Sequence, residues 1–387
     1  MQPFFLPVAF ASLLLLSLSY ASTSTQARLG ALGCGHALPE SVTAGGNATL
    51  MHIDDKNYTR SYYIYVPKNY TVDMPMPLVL SFHGRGSDAT KQESVDQLTH
   101  DKFNSINGGM VVVYPEGVKP PFPQDGKRLR SWYGDPWWNP TADPFVNDIS
   151  FTNTLLTYLL SRYCIDPTRI YATGKSNGGG FVNQLACDAS TSSRFAAFAP
   201  VSAAIYTLNS TNYTIPDCQP HKPIPIMEFH GLDDKTVPYN GGLDDQSRDQ
   251  IPGRNCSNND TTSVSCNYSV APVLNGTLEE AEATMAAWAQ RNGCTAVHDE
   301  TLCDRDGKPT EHYTWTCGGG GGLVQHYPVG GLGHIWPAKG RNGENHKGGK
   351  DNRACFDASE EIVRFFGKHS NPGPAQARTK RGDMLQT

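Results

Sequence analysis

Seven residues constrain this chain more than any others: Gly174-Lys175-Ser176-Asn177-Gly178-Gly179-Gly180, the first five of which fit G-x-S-x-G. They directly follow Arg169–Thr173 (RIYAT), an apolar run of strand length, and directly precede a helical pattern over Gly178–Ala189. A serine on so sharp a strand-to-helix turn needs glycine two places before it and two places after. A Cβ at either position would collide with neighbouring backbone. Such a turn, a nucleophile elbow, lifts the hydroxyl of Ser176 clear of the backbone and fixes it at the end of a sheet strand.

The rest of the chain supplies that sheet. Apolar runs of strand length recur at Ser61–Val66, Leu78–Phe82, Met110–Tyr114, Arg169–Thr173, Phe198–Ser202 and Ile224–His230. They do not alternate with polar residues, which suits strands covered on both faces. Helical patterns lie between them, at Ile149–Tyr163 behind an N-cap at Asp148, at Gly178–Ala189, at Thr277–Asn292 and at Phe356–Lys368. The alternation predicts an α/β fold, one mostly parallel sheet with helices on both faces. The 387 residues, 38% of them hydrophobic and 18% charged, are enough to bury such a core. With 32 basic against 37 acidic residues the net charge is −5, which fits neither a nucleic-acid binder nor a disordered acidic chain.

Residues 1–21 read as a secretory signal peptide. Their apolar stretch Phe10–Leu18 is too short to span a bilayer, and Ser19 and Ala21 sit at −3 and −1 of a cut after Ala21. Nine N-x-S/T triplets agree with export: Asn47, Asn57, Asn69, Asn209, Asn212, Asn255, Asn259, Asn267 and Asn275. Because a glycan must sit in water, these should mark surface positions. No later segment is long and apolar enough to suggest a membrane partner. The chain is therefore expected to be secreted and extracellular. Ten cysteines then read as a disulfide framework: Cys34, Cys164, Cys187, Cys218, Cys256, Cys266, Cys294, Cys303, Cys317 and Cys355. None forms C-x-x-C, so zinc and thioredoxin spacings are missing and no metal is expected. Proximity alone suggests the pairs Cys256–Cys266 and Cys294–Cys303.

The expected domain runs over residues 22–370. Within it 240–275 is a polar, Cys-bearing excursion with four triplets, and Gly318–Gly322 is a flexible hairpin tip. Residues 371–387 read as a disordered tail, whose Arg381-Gly382-Asp383 is incidental. No Ser/Thr-rich linker leads to an appended carbohydrate-binding module.

A serine hydroxyl becomes a useful nucleophile only when a base takes its proton, and the base needs a carboxylate to orient it. After an elbow serine the chain order is Ser, acid, His. Asp233 and Asp234 closely follow the run Ile224–His230, and only one of them can face the base. His334, flanked by glycine in Gly331-Leu332-Gly333-His334-Ile335-Trp336-Pro337, is the expected base, whereas His312, His326 and His346 read as structural. Two backbone N–H groups should hold the developing oxyanion, those of Asn177 and of Arg85 in Phe82-His83-Gly84-Arg85-Gly86.

Together FHGRGSDA, YPEG, SWYGDPWW, GKSNGGG, HGLDDKTVPYNGG and GLGHIWP resemble the secreted feruloyl esterase and polyhydroxybutyrate depolymerase-like group of carbohydrate esterase family one, over about Cys34–Lys368. The resemblance implies an α/β-hydrolase fold and ester hydrolysis without a cofactor. It makes Ser176 the nucleophile, Asp234 the acid and His334 the base. The substrate it implies is a feruloylated plant polysaccharide or oligosaccharide, with neither nucleic acid nor membrane as a partner. Trp336 and Trp132 are the expected aromatic platform for a phenolic acyl group, and the Trp137-Trp138 pair an anchor. Hydrolysis of polyhydroxyalkanoate or acetyl xylan esters by the same triad is the alternative. A non-catalytic wall-binding scaffold would have no need of all three groups.

Overall fold

The computed structural model describes residues 31–56, 58–119, 128–133, 146–205, 218–241, 280–318, 320–345 and 352–371. The predicted runs become strands β2 (Tyr58–Tyr65), β3 (Met76–Phe82), β4 (Val111–Pro115), β5 (Ile165–Lys175), β6 (Ala197–Val201) and β7 (Ile226–Gly231). They join β1 (Thr49–Asp55), β8 (Cys294–Arg305), β9 (Lys308–Cys317) and β10 (Gly320–Val329) in one ten-stranded sheet of order β1-β2-β4-β3-β5-β6-β7-β10-β9-β8. The strands from β4 to β10 in that order run parallel, and antiparallel ribbons, β1–β2 and β8–β9, close the two ends.

Strand geometry explains the unbroken apolar runs. Successive side chains point to opposite faces, and both faces are covered. Leu78, Leu80, Val111, Val113, Ile170 and Ala172 enter one core cluster with Phe151, Leu155 and Phe181. Val79, Val112, Tyr114 and Tyr171 enter the other with Ile362, Phe365 and Phe366. Helices α3 (Asp148–Arg162), α4 (Asn177–Cys187) and α6 (Glu280–Arg291) cover the first face, and α1 (Ala89–Asp96) and α7 (Ala358–Gly367) cover the second. Two short α-helices, α2 (Asp101–Asn104) and α5 (Ala189–Ser192), and a 3₁₀ turn at Ile106–Gly108 complete the set among the described residues.

Four expectations need correction or completion. The cap of α3 is Asn147, whose side chain accepts from Ser150 N, while Asp148 opens the helix and turns its carboxylate inward to Arg60. Cys294 and Cys303 do not pair with each other. They lie on the same strand nine residues apart, roughly 30 Å at strand rise, beyond any bridge. Cys294 instead joins Cys317 across the β8–β9 ribbon, and Cys303 joins Cys355 ahead of α7. Cys34–Cys164 and Cys187–Cys218 complete the four bridges among the described residues. Part of the glycine run expected at the hairpin tip is strand, since Gly320 and Gly321 pair with Cys317 and Thr316. Asn371, assigned to the tail, is anchored by Ser193 O and by Lys222. The signal peptide, the excursion with Cys256 and Cys266, and residues 372–387 lie outside the described residues. So do Asn57, Asn209, Asn212, Asn255, Asn259, Asn267 and Asn275, while Asn47 and Asn69 are both exposed.

Candidate active site

Ser176 stands between β5 and α4 with φ 58° and ψ −123°, a conformation that L-residues rarely adopt. Its backbone is fixed on both sides, since Ser176 N–H donates to Val201 O and Ser176 O accepts from Gly180 N and Ala204 N. A Cβ on Gly174 would come within 2.8 Å of Gly178 O and Phe82 O, and one on Gly178 would strike the carbonyls of Phe82 and His83. The two glycines of the motif are thus required by close approach of β5 and α4 to the end of β3.

That same end of β3 carries the loop expected to hold an oxyanion. Burial holds the proton affinity of His83 down, to a pKa of about 4, so the ring is neutral. Its Nε2 accepts from Gly117 N at 3.0 Å, leaving Nδ1–H to donate to Gly84 O at 2.8 Å. In a trans peptide the N–H points opposite to the C=O, so this bond also fixes the direction of Arg85 N–H. Gly84 lies against the serine: a Cβ there would be 3.3 Å from Ser176 Cβ. On the other side Asn177 Oδ1 accepts from Trp132 N at 2.8 Å, which braces the first residue of α4, where the helix dipole is positive.

The expected acid and base come from the ends of β7 and β10. Asp234 follows β7 by three residues, and its side chain is fully buried. Oδ1 accepts from the N–H groups of Thr236 and Val237, and Oδ2 lies 2.7 Å from His334 Nδ1. A carboxylate only accepts, so Nδ1 carries the proton and Nε2 of His334 is left with its lone pair. Burial alone would raise the pKa of Asp234, but His334 and His230 outweigh it and hold the carboxyl well below the usual range. Burial, and then the cation of Lys175, hold His334 below its ordinary value. Asp233 turns away, half-exposed, toward Lys308 at 3.3 Å. Of the adjacent acids only Asp234 meets the histidine.

A second histidine stands behind Asp234. His230 Nδ1 faces Glu228 Oε1 at 3.0 Å and Nε2 faces Val237 O at 2.8 Å, with Asp234 Oδ2 at 3.5 Å. Both partners are obligate acceptors, so both nitrogens donate and the ring is an imidazolium. Burial opposes that charge, but Glu228 and Asp234 raise the pKa of His230 well above its ordinary value. His326, expected to be structural, completes the chain, with Nδ1 2.8 Å from Glu228 Oε2 and Nε2 2.9 Å from Tyr239 Oη. His312 is likewise held in the sheet, between Glu300 and Gln325, and His346 lies outside the described residues.

The expected aromatic platform is not where the sequence put it. Trp336 is 1% exposed and packs in the second core cluster, its Nε1–H donating to Ser359 Oγ and its backbone N–H to Glu344. Trp132 is 0% exposed, stacked on Phe181 with its edge against Phe82, and its Nε1–H donates to His83 O. Both rings brace the loops of the site and offer no face to a ligand. Trp137 and Trp138 lie outside the described residues. Sequence reasoning missed His83, His230, Glu228, Lys175 and Glu344. The available signal was that His83, Lys175 and His230 sit inside motifs, and Glu228 inside a strand run, already singled out.

A parallel sheet with an elbow serine after β5, an acid after β7 and a histidine after the last parallel strand defines the α/β-hydrolase fold. Within that class no family model matches the chain. It is 28% identical to feruloyl esterase B of Piromyces equi over 61% of this chain and 36% of the relative. To the probable feruloyl esterase C of Aspergillus flavus it is 26% identical over 51% of this chain and 64% of that one. The chain thus spans 36% and 64% of the length of these curated relatives. Among solved structures it is similar to an acetyl xylan esterase from Aspergillus awamori, at 15% identity and TM-score 0.44, covering 82% of this chain and 99% of that one. The resemblance to the feruloyl esterase group read from the motifs is borne out by these relatives.

Proposed function

We propose that this protein is a serine esterase acting on carboxylic esters of plant cell-wall polysaccharide, with hydroxycinnamate esters as its substrates. The observation that carries the reading is the 2.7 Å contact of His334 Nδ1 with buried Asp234, taken together with a serine held at φ 58° on an elbow. Ser176 Oγ attacks the ester carbonyl as His334 Nε2 takes its proton. Asp234 stabilises the imidazolium that forms. The oxyanion is held by the N–H groups of Asn177 and Arg85. His334 then returns the proton to the departing alkoxide, leaving an acyl-enzyme on Ser176. Water enters and the same steps run with it as nucleophile, releasing the acid.

The four described disulfides fit an oxidising compartment. With the leader expected at residues 1–21, they support secretion, and the exposed Asn47 and Asn69 are offered as glycan sites. A second reading, hydrolysis of acetyl xylan or short polyhydroxyalkanoate esters, is favoured by the burial of Trp132 and Trp336, which removes the expected phenolic platform. A panel of methyl ferulate, methyl caffeate, acetylated xylan and a short polyhydroxybutyrate separates the two, with Ser176→Ala as the blank. Highest kcat/KM on the ferulate and caffeate esters supports the first reading. Turnover of acetylated xylan or polyhydroxybutyrate alone replaces it with the second, and no turnover of any ester removes both.

A further inference from the structure

The residue before the nucleophile is a lysine pulled inward. Lys175 Nζ donates to the backbone carbonyl of His334 at 3.0 Å and to Glu344 Oε2 at 2.5 Å. The two side chains are only 11% and 12% exposed, so the pair is largely shielded from water. The other carboxylate oxygen, Glu344 Oε1, accepts from Trp336 N–H, two residues beyond the base. The carboxylate is itself held in place. Glu344 N–H and Asn345 N–H donate to Asn342 Oδ1, and Asn342 Nδ2 donates to Trp336 O. One ion pair therefore joins the turn that carries the serine to the loop that carries the histidine.

We propose that Lys175 and Glu344 are positioning residues that fasten the base's loop to the nucleophile's turn and bias, with opposite signs, how readily His334 takes a proton. The proposal rests on the reading of Ser176 and His334 as nucleophile and base. His334 is faced by Asp234 from the turn after β7, with cationic His230 behind it, by Lys175 from the end of β5 and by Glu344 from its own loop. Asp233, near Gly333, is engaged with Lys308. The cation of Lys175 opposes the imidazolium and the anion of Glu344 favours it. Burial acts on His334 in the same direction as Lys175, and Asp234 and Glu344 act against them. A clamp that only held the loop would give no such opposed pair of effects.

Opposed signs make the test specific. Lys175→Met removes the cation at similar length, Glu344→Gln removes the anion and keeps acceptor oxygen for Trp336 N–H, and Lys175→Arg keeps the charge. The pH dependence of kcat/KM on p-nitrophenyl acetate is measured for each, with folding checked by circular dichroism. In parallel, His334 is titrated by NMR in protein labelled with ε1-¹³C-histidine, its signal identified by its loss in His334→Gln. K175M is expected to move the acid limb and the NMR titration upward by about half a pH unit, the scale of a partly shielded unit charge a few ångströms from a titrating ring. E344Q is expected to move both downward, and K175R to leave them near the wild type. Shifts in the same direction for K175M and E344Q, or none in either, overturn the proposal. If K175M does not fold, a downward shift in E344Q supports it and an unmoved titration overturns it. A wild type that cleaves no ester defeats the functional reading instead, while the NMR titration still decides the effect on His334.

Discussion

At the scale of single residues, one serine is held in a backbone conformation that L-residues rarely adopt. Ser176 keeps φ 58° because β5 hands it directly to α4, with Gly174 and Gly178 leaving no room for another path. On the proposed mechanism Ser176→Ala removes nearly all esterase activity, about a million-fold when a triad is otherwise intact, without unfolding the protein. Steady-state kinetics on methyl ferulate with a circular dichroism control reads this directly. Asp234→Asn is expected to lower kcat by about 10⁴-fold, because the base loses the partner that fixes its tautomer. Asp233→Asn, which loses only the exposed contact with Lys308, should leave kcat within a few-fold of wild type, so an essential Asp233 would contradict the geometry. The pH profile has a definite sign. The base must be neutral, and His334 is held below its ordinary value of 6.5, so kcat/KM rises with pH through a midpoint below 6.5. A midpoint well above 6.5 would mean that Asp234 outweighs burial and Lys175.

At the scale of elements, position is set by buried charges as much as by apolar packing. Arg60 on β2 meets Asp148 at the start of α3 at 2.8 Å, with side chains 3% and 0% exposed and the guanidinium 3.8 Å above the Phe151 ring. Asp148 also accepts from Tyr133 N, next to the Trp132 that braces Asn177, so the pair links the outer ribbon to the site. Asp148→Asn leaves a buried guanidinium without its counter-charge, a loss of about 3–5 kcal/mol in denaturant unfolding. A change below about 1 kcal/mol would show that Arg60 reaches water or another partner. Legibility followed the same division. The six apolar strands, the tight turn at Ser176 and the choice of Asp234 over Asp233 to face His334 were readable, because pattern, glycine placement and motif are local in sequence. The cap of α3 was misread because Asp148 is drawn to Arg60, 88 residues away. Trp336 was misread because nothing local shows that its N–H groups meet Glu344 and Ser359. The edge strand β8 escaped for another reason: most of it is exposed, so it carries no apolar run.

Across the whole molecule, bridges tie segments that the sheet alone would leave to edge contacts. Cys34–Cys164 spans 130 residues and encloses β1 to β4 with α1 to α3, whereas Cys294–Cys317 spans 23 residues and joins strands already paired in one ribbon. If a bridge stabilises chiefly by restricting the unfolded chain, the long loop contributes about 5 kcal/mol and the short one about 3.5 kcal/mol. The protein carrying Cys34→Ser with Cys164→Ser should therefore melt at lower temperature than the protein carrying Cys294→Ser with Cys317→Ser. Calorimetry at fixed scan rate, with thiols counted first to confirm the remaining bridges, makes the comparison. Packing points the same way. Cys164 is wholly buried in the main core at the start of β5, and β8 beside Cys294 is mostly exposed. Loss of Cys34–Cys164 should thus lower the main transition, while loss of Cys294–Cys317 should loosen the edge ribbon and spare more of it. The reverse order would mean that the β8–β9 edge limits unfolding of the entire sheet, and that β10, which carries the chain to His334, owes its place to the ribbon beyond it.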